Sequence, residues 1–293
     1  MEVRERSKQN YSLSARLGML LFFSILSLIV FLPFLAILLA SFKPGEELIR
    51  YGLNLRLDWD LMSFDNYKYL FTGITKAGKL IPHDYLLWFK NSVVLTVVQT
   101  VLTLFVSAWV GYGFAMYRFW GKDLLFTCVL LILMIPFEIL MLPMYSQASA
   151  MGLLDSMWGI VLPFLAHATT IFFFRQFLVS IPRDIVDAGR VDGASEYGIF
   201  FRLIVPLMKP AFSAMAILAG MNSWNNFLWP MLVLRSGQKY TLAIGLNTLL
   251  TPYGNNYDIL IAGSCFSIIP LLILFLSAQK YFIEGMTMGS VKG

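Results

Sequence analysis

The chain has 293 residues, of which 58% are hydrophobic and 13% charged, and its net charge is +5. A soluble domain carries about 25% charged residues, so this composition excludes an ordinary soluble protein. The basic residues lie at the ends of long apolar stretches, so the positive charge does not indicate nucleic-acid binding. Cys128 and Cys265 lie inside such stretches, which argues against a disulfide framework, and no metal-ligand spacing is present in the sequence.

Six long apolar stretches predict six transmembrane α-helices. A spanning helix needs about 20 mostly apolar residues, because the hydrocarbon layer is about 30 Å thick. The stretches without Asp, Glu, Lys or Arg are 17–42, 91–117, 156–174, 210–234 and 259–279. A further stretch, 124–154, contains a single acid, Glu138. Helices are expected because lipid offers the backbone no hydrogen-bond partner, and a β-barrel would show alternating segments of about 10 residues.

The basic residues predict that both termini face the cytoplasm. Lys and Arg concentrate in short links on that side of a membrane. The tail 1–16 holds four of them, whereas the link 146–156 holds none. The tail precedes a transmembrane domain over 17–293, in which 43–90 is predicted to be a long extracytoplasmic loop. The first apolar stretch is about twice as long as a signal-peptide core, so it is predicted to remain as a helix.

Four tryptophans lie near the ends of the apolar stretches, at Trp88, Trp120, Trp158 and Trp229. Tryptophan is enriched at membrane–water interfaces, which favours a role as interfacial anchors. Core packing or contact with lipid is an open alternative for each of them.

The link between the fourth and fifth stretches, 180–210, holds too many charges to span a membrane and too much pattern for a plain linker. Pro182 fits the first turn of a helix. Ile185, Ala188 and Gly189 fall at i, i+3 and i+4, which predicts a small, apolar helix face. Two interpretations of that face are open: docking into a groove of another protein, or lying on the lipid surface. The small residues favour docking, since a lipid-facing surface prefers bulky side chains.

Gly193 is predicted to end this helix, since glycine is common just past a helix C-terminus. A second helix is predicted to follow, with Ser195 or Asp192 as its N-cap. Its aromatic residues recur at helical spacing, at Tyr197, Phe200 and Phe201.

Motifs across most of the chain resemble one known family. The segment from Asp187 to Ala194, with Phe200, Ile204, Pro206, Leu207 and Pro210 after it, resembles the EAA loop of ABC importer permeases. Segments 134–143, 223–230 and 281–293 resemble the family's I-P…P, S-W-N-x-F-x-x-P and closing F-x-x-G-x-x-x-G-x-V-K-G motifs. Their order and spacing are similar to those of the carbohydrate branch, the maltose-type (MalG-like) permeases.

The resemblance implies an all-α, polytopic membrane protein with six transmembrane helices and the type I (MetI-like) importer-permease fold. It implies a transport subunit, not an enzyme, that imports a sugar or oligosaccharide across a bacterial-type cytoplasmic (inner) membrane. The implied partners are a second homologous permease subunit, two ATP-binding subunits, an extracytoplasmic solute-binding protein and membrane lipid. ATP and Mg²⁺ would bind the ATP-binding subunits, and neither a cofactor nor a catalytic residue is expected on this chain.

By the same resemblance, 180–210 is the cytoplasmic coupling loop that contacts an ATP-binding subunit. The predicted contact residues are Ile185, Asp187, Ala188, Gly189, Arg190, Asp192, Gly193 and Ala194. An internal brace within the loop is an open alternative for Arg190 and Asp192. Asp187 departs from the family's Glu by one methylene, and Gly189 replaces an Ala, which loosens a helix by about 1 kcal/mol. The closing stretch 285–293 is implied to reach the same interface.

Polar residues inside the apolar stretches are candidates for the substrate pathway, because placing them in lipid is costly. The candidates are Glu138, Asn222, Ser223, Asn225, Asn226, Ser264 and Ser267. Hydrogen bonding between helices is the open alternative for the serines, and capping of a broken helix for Glu138. His167 is expected to be a buried packing residue. Among rival classes, a secondary transporter usually has several intramembrane charges and a channel a filter-like loop, and neither pattern is evident.

Overall fold

The structure is a computed structural model that describes residues 12–74, 78, 83–250 and 256–288, with the backbone alone at 278 and 281–288. The chain divides into two compact units. The first comprises residues 1–81 and 252–265, and the second comprises 82–251 and 266–293. Residues 1–11 of the predicted tail and 289–293 of the closing motif lie outside the described residues.

Helices make up the secondary structure of the described ranges. They are α1 (Leu13–Ala40), α2 (Gly45–Tyr51), α3 (Asp65–Thr72), α4 (Tyr85–Met116), α5 (Lys122–Ile132), α6 (Phe137–Ala150), α7 (Met157–Val161), α8 (Ala168–Val179), α9 (Asp184–Val191), α10 (Glu196–Gly198), α11 (Val205–Leu207), α12 (Lys209–Trp224), α13 (Leu228–Val233), α14 (Leu242–Thr248), α15 (Tyr257–Phe266) and α16 (Ile268–Met288). Short 3₁₀ turns occupy Leu162–Phe164 and Gly237–Lys239, and a wide π-helical turn occupies Ile199–Ile204.

In the first unit, α1 is an apolar helix that its own chain leaves largely uncovered. Ala36 and Ala40 are its buried residues, and most of its large apolar side chains are exposed. Such a surface is suited to contact with lipid or with another membrane helix. The chain after α1 is held by Asn66, whose amide donates to the carbonyl oxygens of Ser41 and Lys43 at 2.9 and 2.7 Å.

Three helices are long and apolar enough to cross a membrane: Leu13–Ala40, Tyr85–Met116 and Tyr257–Ser277. Three bent pairs meet the same test if each pair is one span, which gives up to six spans in the described part of the chain. The pairs are α5 with α6, bent by 105°, Met157–Phe164 with α8, bent by 42°, and Glu196–Leu207 with α12, bent by 78°. The predicted all-helical, multi-span architecture is confirmed.

Prolines stand at the two sharper bends. Pro136 directly precedes α6, and Pro206 and Pro210 flank the junction between α11 and α12. Proline lacks a backbone N–H and disfavours helix at the residue before it, so a helix ends or kinks there. The fifth apolar stretch, 210–234, is not one continuous helix, because α12 ends at Trp224 and α13 starts only at Leu228.

In the second unit, α4 is the central helix and packs against α8, α12 and α14. Gly111 permits a close approach of α4 to α8, since a Cβ there would lie 3.0 Å from the Cβ of Phe174. Small residues at helix contacts matter in membranes, where association depends on close packing because lipid is as apolar as the helix surface.

The four tryptophans fall into two groups. Trp88 and Trp229 are core residues with exposed fractions of 6% and 0%, so the interfacial interpretation is wrong for both. The Trp229 indole donates to the carbonyl oxygen of Gly159 at 3.2 Å, which satisfies the polar group that burial would otherwise strand. Trp120 and Trp158 are exposed, as interfacial anchors would be.

Candidate functional site

The predicted coupling loop, 180–210, contains a short helix, a glycine turn and a second helical segment. Helix α9 runs from Asp184, so Pro182 lies before the helix and not in its first turn as predicted. Gly193 has φ +77°, a conformation that favours glycine, and its N–H donates to Arg190 at 3.0 Å. The predicted end of the helix at this glycine is therefore confirmed. Ser195 caps the second segment by accepting from the Gly198 N–H at 3.1 Å, which settles the choice of N-cap against Asp192.

Helix α9 turns one side into its own chain and the other outward. Val186 is 2% exposed, and Gly189 is also buried. A Cβ at Gly189 would lie 2.9 Å from Leu203 and 3.1 Å from Ile199, so this glycine lets the helix lie flat on the π-helical turn. Ala188, by contrast, is exposed. The predicted small face is therefore divided, with Gly189 packed internally and Ala188 exposed.

Arg190 joins the two halves of the loop to the end of α4. Its guanidinium contacts the carboxylates of Asp187 at 3.1 Å and Glu196 at 2.8 Å. The Tyr117 hydroxyl, just after α4, donates to Glu196, and the Arg190 guanidinium lies 5.7 Å from the centre of the Tyr117 ring. We call these four residues the brace. The hydrogen bond that Arg190 donates to Glu196 raises the pKa of Arg190, so the guanidinium remains charged.

Of the two interpretations of Arg190, the contacts favour an internal role. Asp192 is exposed, as are its neighbours Gly193 and Ala194. Half-buried Ile185 lies one residue before buried Val186.

A hollow of about 700 Å³ opens beside the loop. Its lining includes Gly189, Asp192, Gly193, Ala194, Ser195 and Tyr197. Two large apolar side chains stand out into solvent nearby, Val191 with an exposed fraction of 87% and Tyr197 with 65%. Sequence reasoning did not single out Val191, although an apolar residue directly before an Asp-Gly turn is the available signal. Exposed apolar groups around a hollow are typical of a protein-docking surface.

Aromatic rings connect the loop to α4. The Trp109 ring stacks on Phe200 with centroids 5.8 Å apart and an interplanar angle of 10°. Trp109 also meets Tyr197 at 5.6 Å and Phe201 at 6.0 Å, both edge to face. Such pairs contribute about 0.5–1.5 kcal/mol each beyond their burial. The loop is therefore attached to α4 through both the brace and this stack.

A second hollow, of about 620 Å³, lies among the helices of the second unit. Its polar lining consists of Gln99, Thr100, Thr103, His167, Thr169, Thr170, Asn222, Ser223 and Asn226. Three of the predicted pathway residues are thus brought together, namely Asn222, Ser223 and Asn226. We call this the polar hollow.

Residues from α4 and from the break before α8 complete the polar hollow, and sequence reasoning missed them. Buried Gln99 accepts a hydrogen bond from Ser223 at 2.9 Å, across 124 positions of sequence. Thr103 donates to the carbonyl oxygen of Phe164 at 3.0 Å, which ties α4 to the broken fourth span. His167 is half-buried and lines the hollow, so its prediction as a packing residue is wrong.

The remaining pathway candidates lie elsewhere. Glu138 is exposed in the first turn of α6, directly after the break, where the helix dipole stabilises a negative charge. This position supports the alternative of helix capping. Asn225 is the exposed C-cap of α12. Ser264 belongs to α15 in the first unit, and Ser267 lies in the break between α15 and α16. Within the described ranges, no group of three or more His, Cys, Asp or Glu side chains could hold a metal ion.

A polar clip joins the link after α6 to the link after α13. Asp155 accepts hydrogen bonds from the backbone N–H groups of Arg235 and Ser236, both at 3.0 Å, and its carboxylate pairs with Lys239 at 3.0 Å. The Ser236 hydroxyl donates to the same carboxylate. These hydrogen bonds, led by that of Ser236, hold the pKa of Asp155 well below its usual value. The residues are about 80 positions apart in sequence, which is why sequence reasoning did not pair them.

Known proteins resemble this chain over nearly its whole length. The chain is 52% identical to the arabinooligosaccharides transport system permease protein AraQ of Bacillus subtilis (strain 168), covering 95% of this chain and 96% of that one. It is 49% identical to AraQ of Halalkalibacterium halodurans, covering 92% and 94%. A chain from the crystal structure of a bacterial ABC transporter involved in the import of the acidic polysaccharide alginate matches with a TM-score of 0.77 and 25% identity, covering 93% of this chain and 99% of that one.

A family description, "Binding-protein-dependent transport system inner membrane component", matches residues 103–287. This range includes the coupling loop and most of the lining of the polar hollow. The match and the structural likeness confirm the resemblance to importer permeases and the predicted fold. The chain therefore belongs to the family of inner-membrane components of binding-protein-dependent transport systems.

Proposed function

We propose that this chain is the permease subunit of an ATP-driven importer of oligosaccharides, and that arabinooligosaccharides are its substrates. The observation that carries the proposal is the 52% and 49% identity, over more than nine-tenths of the chain, to two permeases of that named specificity. Substrate choice is a local property of a few side chains, so a transport assay has to test it.

The polar hollow supports a neutral, hydroxyl-rich substrate. Its lining offers amide and hydroxyl groups, which form hydrogen bonds with sugar hydroxyls without a net charge. Among the described side chains that line it, His167 is the one titratable group. Phe137 and Phe164 contribute apolar ring surface on which a sugar face can rest. We assign the hollow to this chain's half of the translocation pathway.

The coupling loop supports a contact with an ATP-binding subunit. Ala188, Asp192 and Ala194 are exposed beside a hollow, and Val191 extends from the same turn. In the proposed assembly, two ATP-binding subunits hold ATP and Mg²⁺, and a second homologous permease completes the pathway. An extracytoplasmic solute-binding protein delivers the sugar. When the ATP-binding subunits close, the loop moves with them, and the brace and the Trp109 stack pass the displacement to α4.

The substrate assignment is tested by uptake into proteoliposomes that contain the whole importer with its own binding protein. Radiolabelled arabinotriose and maltotriose are supplied separately, with ATP inside or absent. The proposal expects ATP-dependent uptake of arabinotriose in clear excess over maltotriose. Preferential uptake of maltotriose would reject the arabinooligosaccharide assignment, and uptake that does not require ATP would reject the importer itself.

The coupling contact is tested with Gly193→Asp, which places a charged side chain at a positive-φ turn on the proposed interface. Gly152→Asp is a matched control, because Gly152 has φ +68° and open space around it but lies in the link after α6. We expect Gly193→Asp to lose co-purification of the ATP-binding subunits and substrate-stimulated ATP hydrolysis, and Gly152→Asp to keep both. Equal behaviour of the two variants would contradict a contact at this turn.

A further inference from the structure

Four basic side chains gather where α4 ends, α5 begins and α8 approaches α9. They are Arg118, Lys122, Arg175 and Arg183. The Lys122 ammonium donates to the carbonyl oxygen of Tyr117 at 2.9 Å. The Arg175 guanidinium lies over the Phe126 ring, 4.0 Å from its centroid. We call this group the basic cluster.

Among the described residues around Lys122, the basic cluster has more positive than negative charge. Arg175, Arg183 and Arg118 lie close enough to Lys122 for each to act against its positive charge, and Asp123 is the acid that acts in its favour. The buried Nε of Arg175 has no hydrogen-bond partner among the described residues. Gathering cations with so little compensation is unfavourable, so the arrangement is suited to an anion supplied from outside the chain.

The surroundings of the basic cluster are those of a membrane interface. Trp120 is 97% exposed in the turn between α4 and α5, and its neighbour Phe119 is 43% exposed. On the first turn of α5, Leu124 and Leu125 are exposed by 68% and 52%. An exposed tryptophan at headgroup level, with bases beside it and leucines further along the helix, matches the layers of a lipid leaflet.

We propose that the basic cluster binds the headgroup of an anionic phospholipid in the cytoplasmic leaflet, with an acyl chain lying along the exposed leucines of α5. The positive-inside pattern places this end of α4 and α5 on the cytoplasmic side, where anionic lipids are recognised by basic groups between helices. Arginine and lysine together suit a phosphodiester, because arginine offers paired N–H donors and lysine a compact charge. A free phosphate would use the bases but not the apolar surface of α5.

The test uses the whole importer in nanodiscs of phosphatidylcholine with a minor share of phosphatidylglycerol. Phosphatidylglycerol retained after detergent extraction is counted by native mass spectrometry. The double variant Arg118→Gln/Arg175→Gln should lower retention by about tenfold, because it removes two cations that attract the anionic headgroup and salt screens part of that attraction. Arg16→Gln/Lys209→Gln removes two bases outside the cluster and should retain the lipid as the unaltered importer does.

Arg118→Glu provides a second variant with less risk to folding, because it changes one residue and Arg118 is exposed. It should lower retention even if the double variant fails to assemble. Equal retention in Arg118→Glu and the control would overturn the proposal. A second result would also overturn it. If millimolar inorganic phosphate raises the thermal stability of the importer in phosphatidylcholine nanodiscs as much as phosphatidylglycerol does, the site belongs to a free anion. A disulfide between the cysteine of Trp120→Cys and a cysteine of the second permease subunit would likewise overturn it, because that subunit would then cover the site.

Discussion

Glu196→Gln tests whether the brace holds the coupling loop in its docking position, because it keeps the size of the side chain and removes its charge. Arg190 would exchange an ion pair of 2.8 Å for a neutral hydrogen bond. The two side chains are 40% and 47% exposed, so the pair contributes what surface ion pairs do, about 0.2–1 kcal/mol. The hydrogen bond from Tyr117 contributes about 0.5–1.5 kcal/mol, part of which an amide oxygen retains.

The combined loss is therefore about 1–2 kcal/mol, which is less than the roughly 5–15 kcal/mol that separates a folded domain from its unfolded chain. The variant should insert and assemble. Because 1.4 kcal/mol corresponds to a factor of ten, the affinity of the permease for the ATP-binding subunits should fall about 5–30-fold if the whole loss falls on the docked state. Substrate-stimulated ATP hydrolysis in proteoliposomes should fall with it, while the thermal transition of the assembled importer moves little.

Asp184→Asn is the matched control, since Asp184 is an exposed acid of the same loop, in the first turn of α9, and lies outside the brace. Unchanged affinity and stimulation in Glu196→Gln would refute the idea that the brace holds the loop in its docking position. An equal decrease in Asp184→Asn would attribute the effect to the net charge of the loop instead.

Three further predictions concern the frame around these sites. Gly245→Ala should destabilise the importer by about 1–3 kcal/mol in thermal unfolding, because its Cβ would overlap the buried Trp88 ring. Because the pKa of Asp155 is lower in the folded chain, its ionised carboxylate stabilises the fold at pH values above its unfolded pKa of about 4. The difference in melting temperature between the unaltered importer and Asp155→Asn should therefore shrink as the pH falls below that value. Ser223→Ala removes the hydrogen-bond donor of buried Gln99 and should lower the free energy of unfolding by about 1–3 kcal/mol. The double variant Gln99→Leu/Ser223→Ala should recover part of this loss, and thermal unfolding measures both.

Much of the helical architecture could be predicted because lipid allows few alternatives to helices for long apolar segments. Breaks without a proline signal could not be predicted, since an apolar stretch looks the same whether or not a helix bends within it. Pro136 signalled one break. The gap at 225–227 has no proline, and in it two asparagines and a phenylalanine separate α12 from α13.

In the coupling loop, the features set by neighbouring residues could be predicted, and those set by distant contacts could not. Gly193 and Ser195 were predictable, because turn conformation and N-capping depend on neighbouring residues. The inward side of α9 was not, since Leu203 and Ile199 decide where Gly189 packs. Contacts such as Asp155 with Ser236 join residues whose proximity only the assembled helices create.

The π-helical turn at Ile199–Ile204 makes the loop sensitive to chain length. A turn of this kind holds one residue more than a regular helix. Deleting a residue within it would restore an α-helix but rotate everything before it by about 100° around the axis. Glu196 would then face away from Tyr117, and the turn at Asp192 and Gly193 would point in another direction. Related chains that still couple should therefore conserve the spacing between the Asp-Gly turn and α12, even where the side chains in between differ.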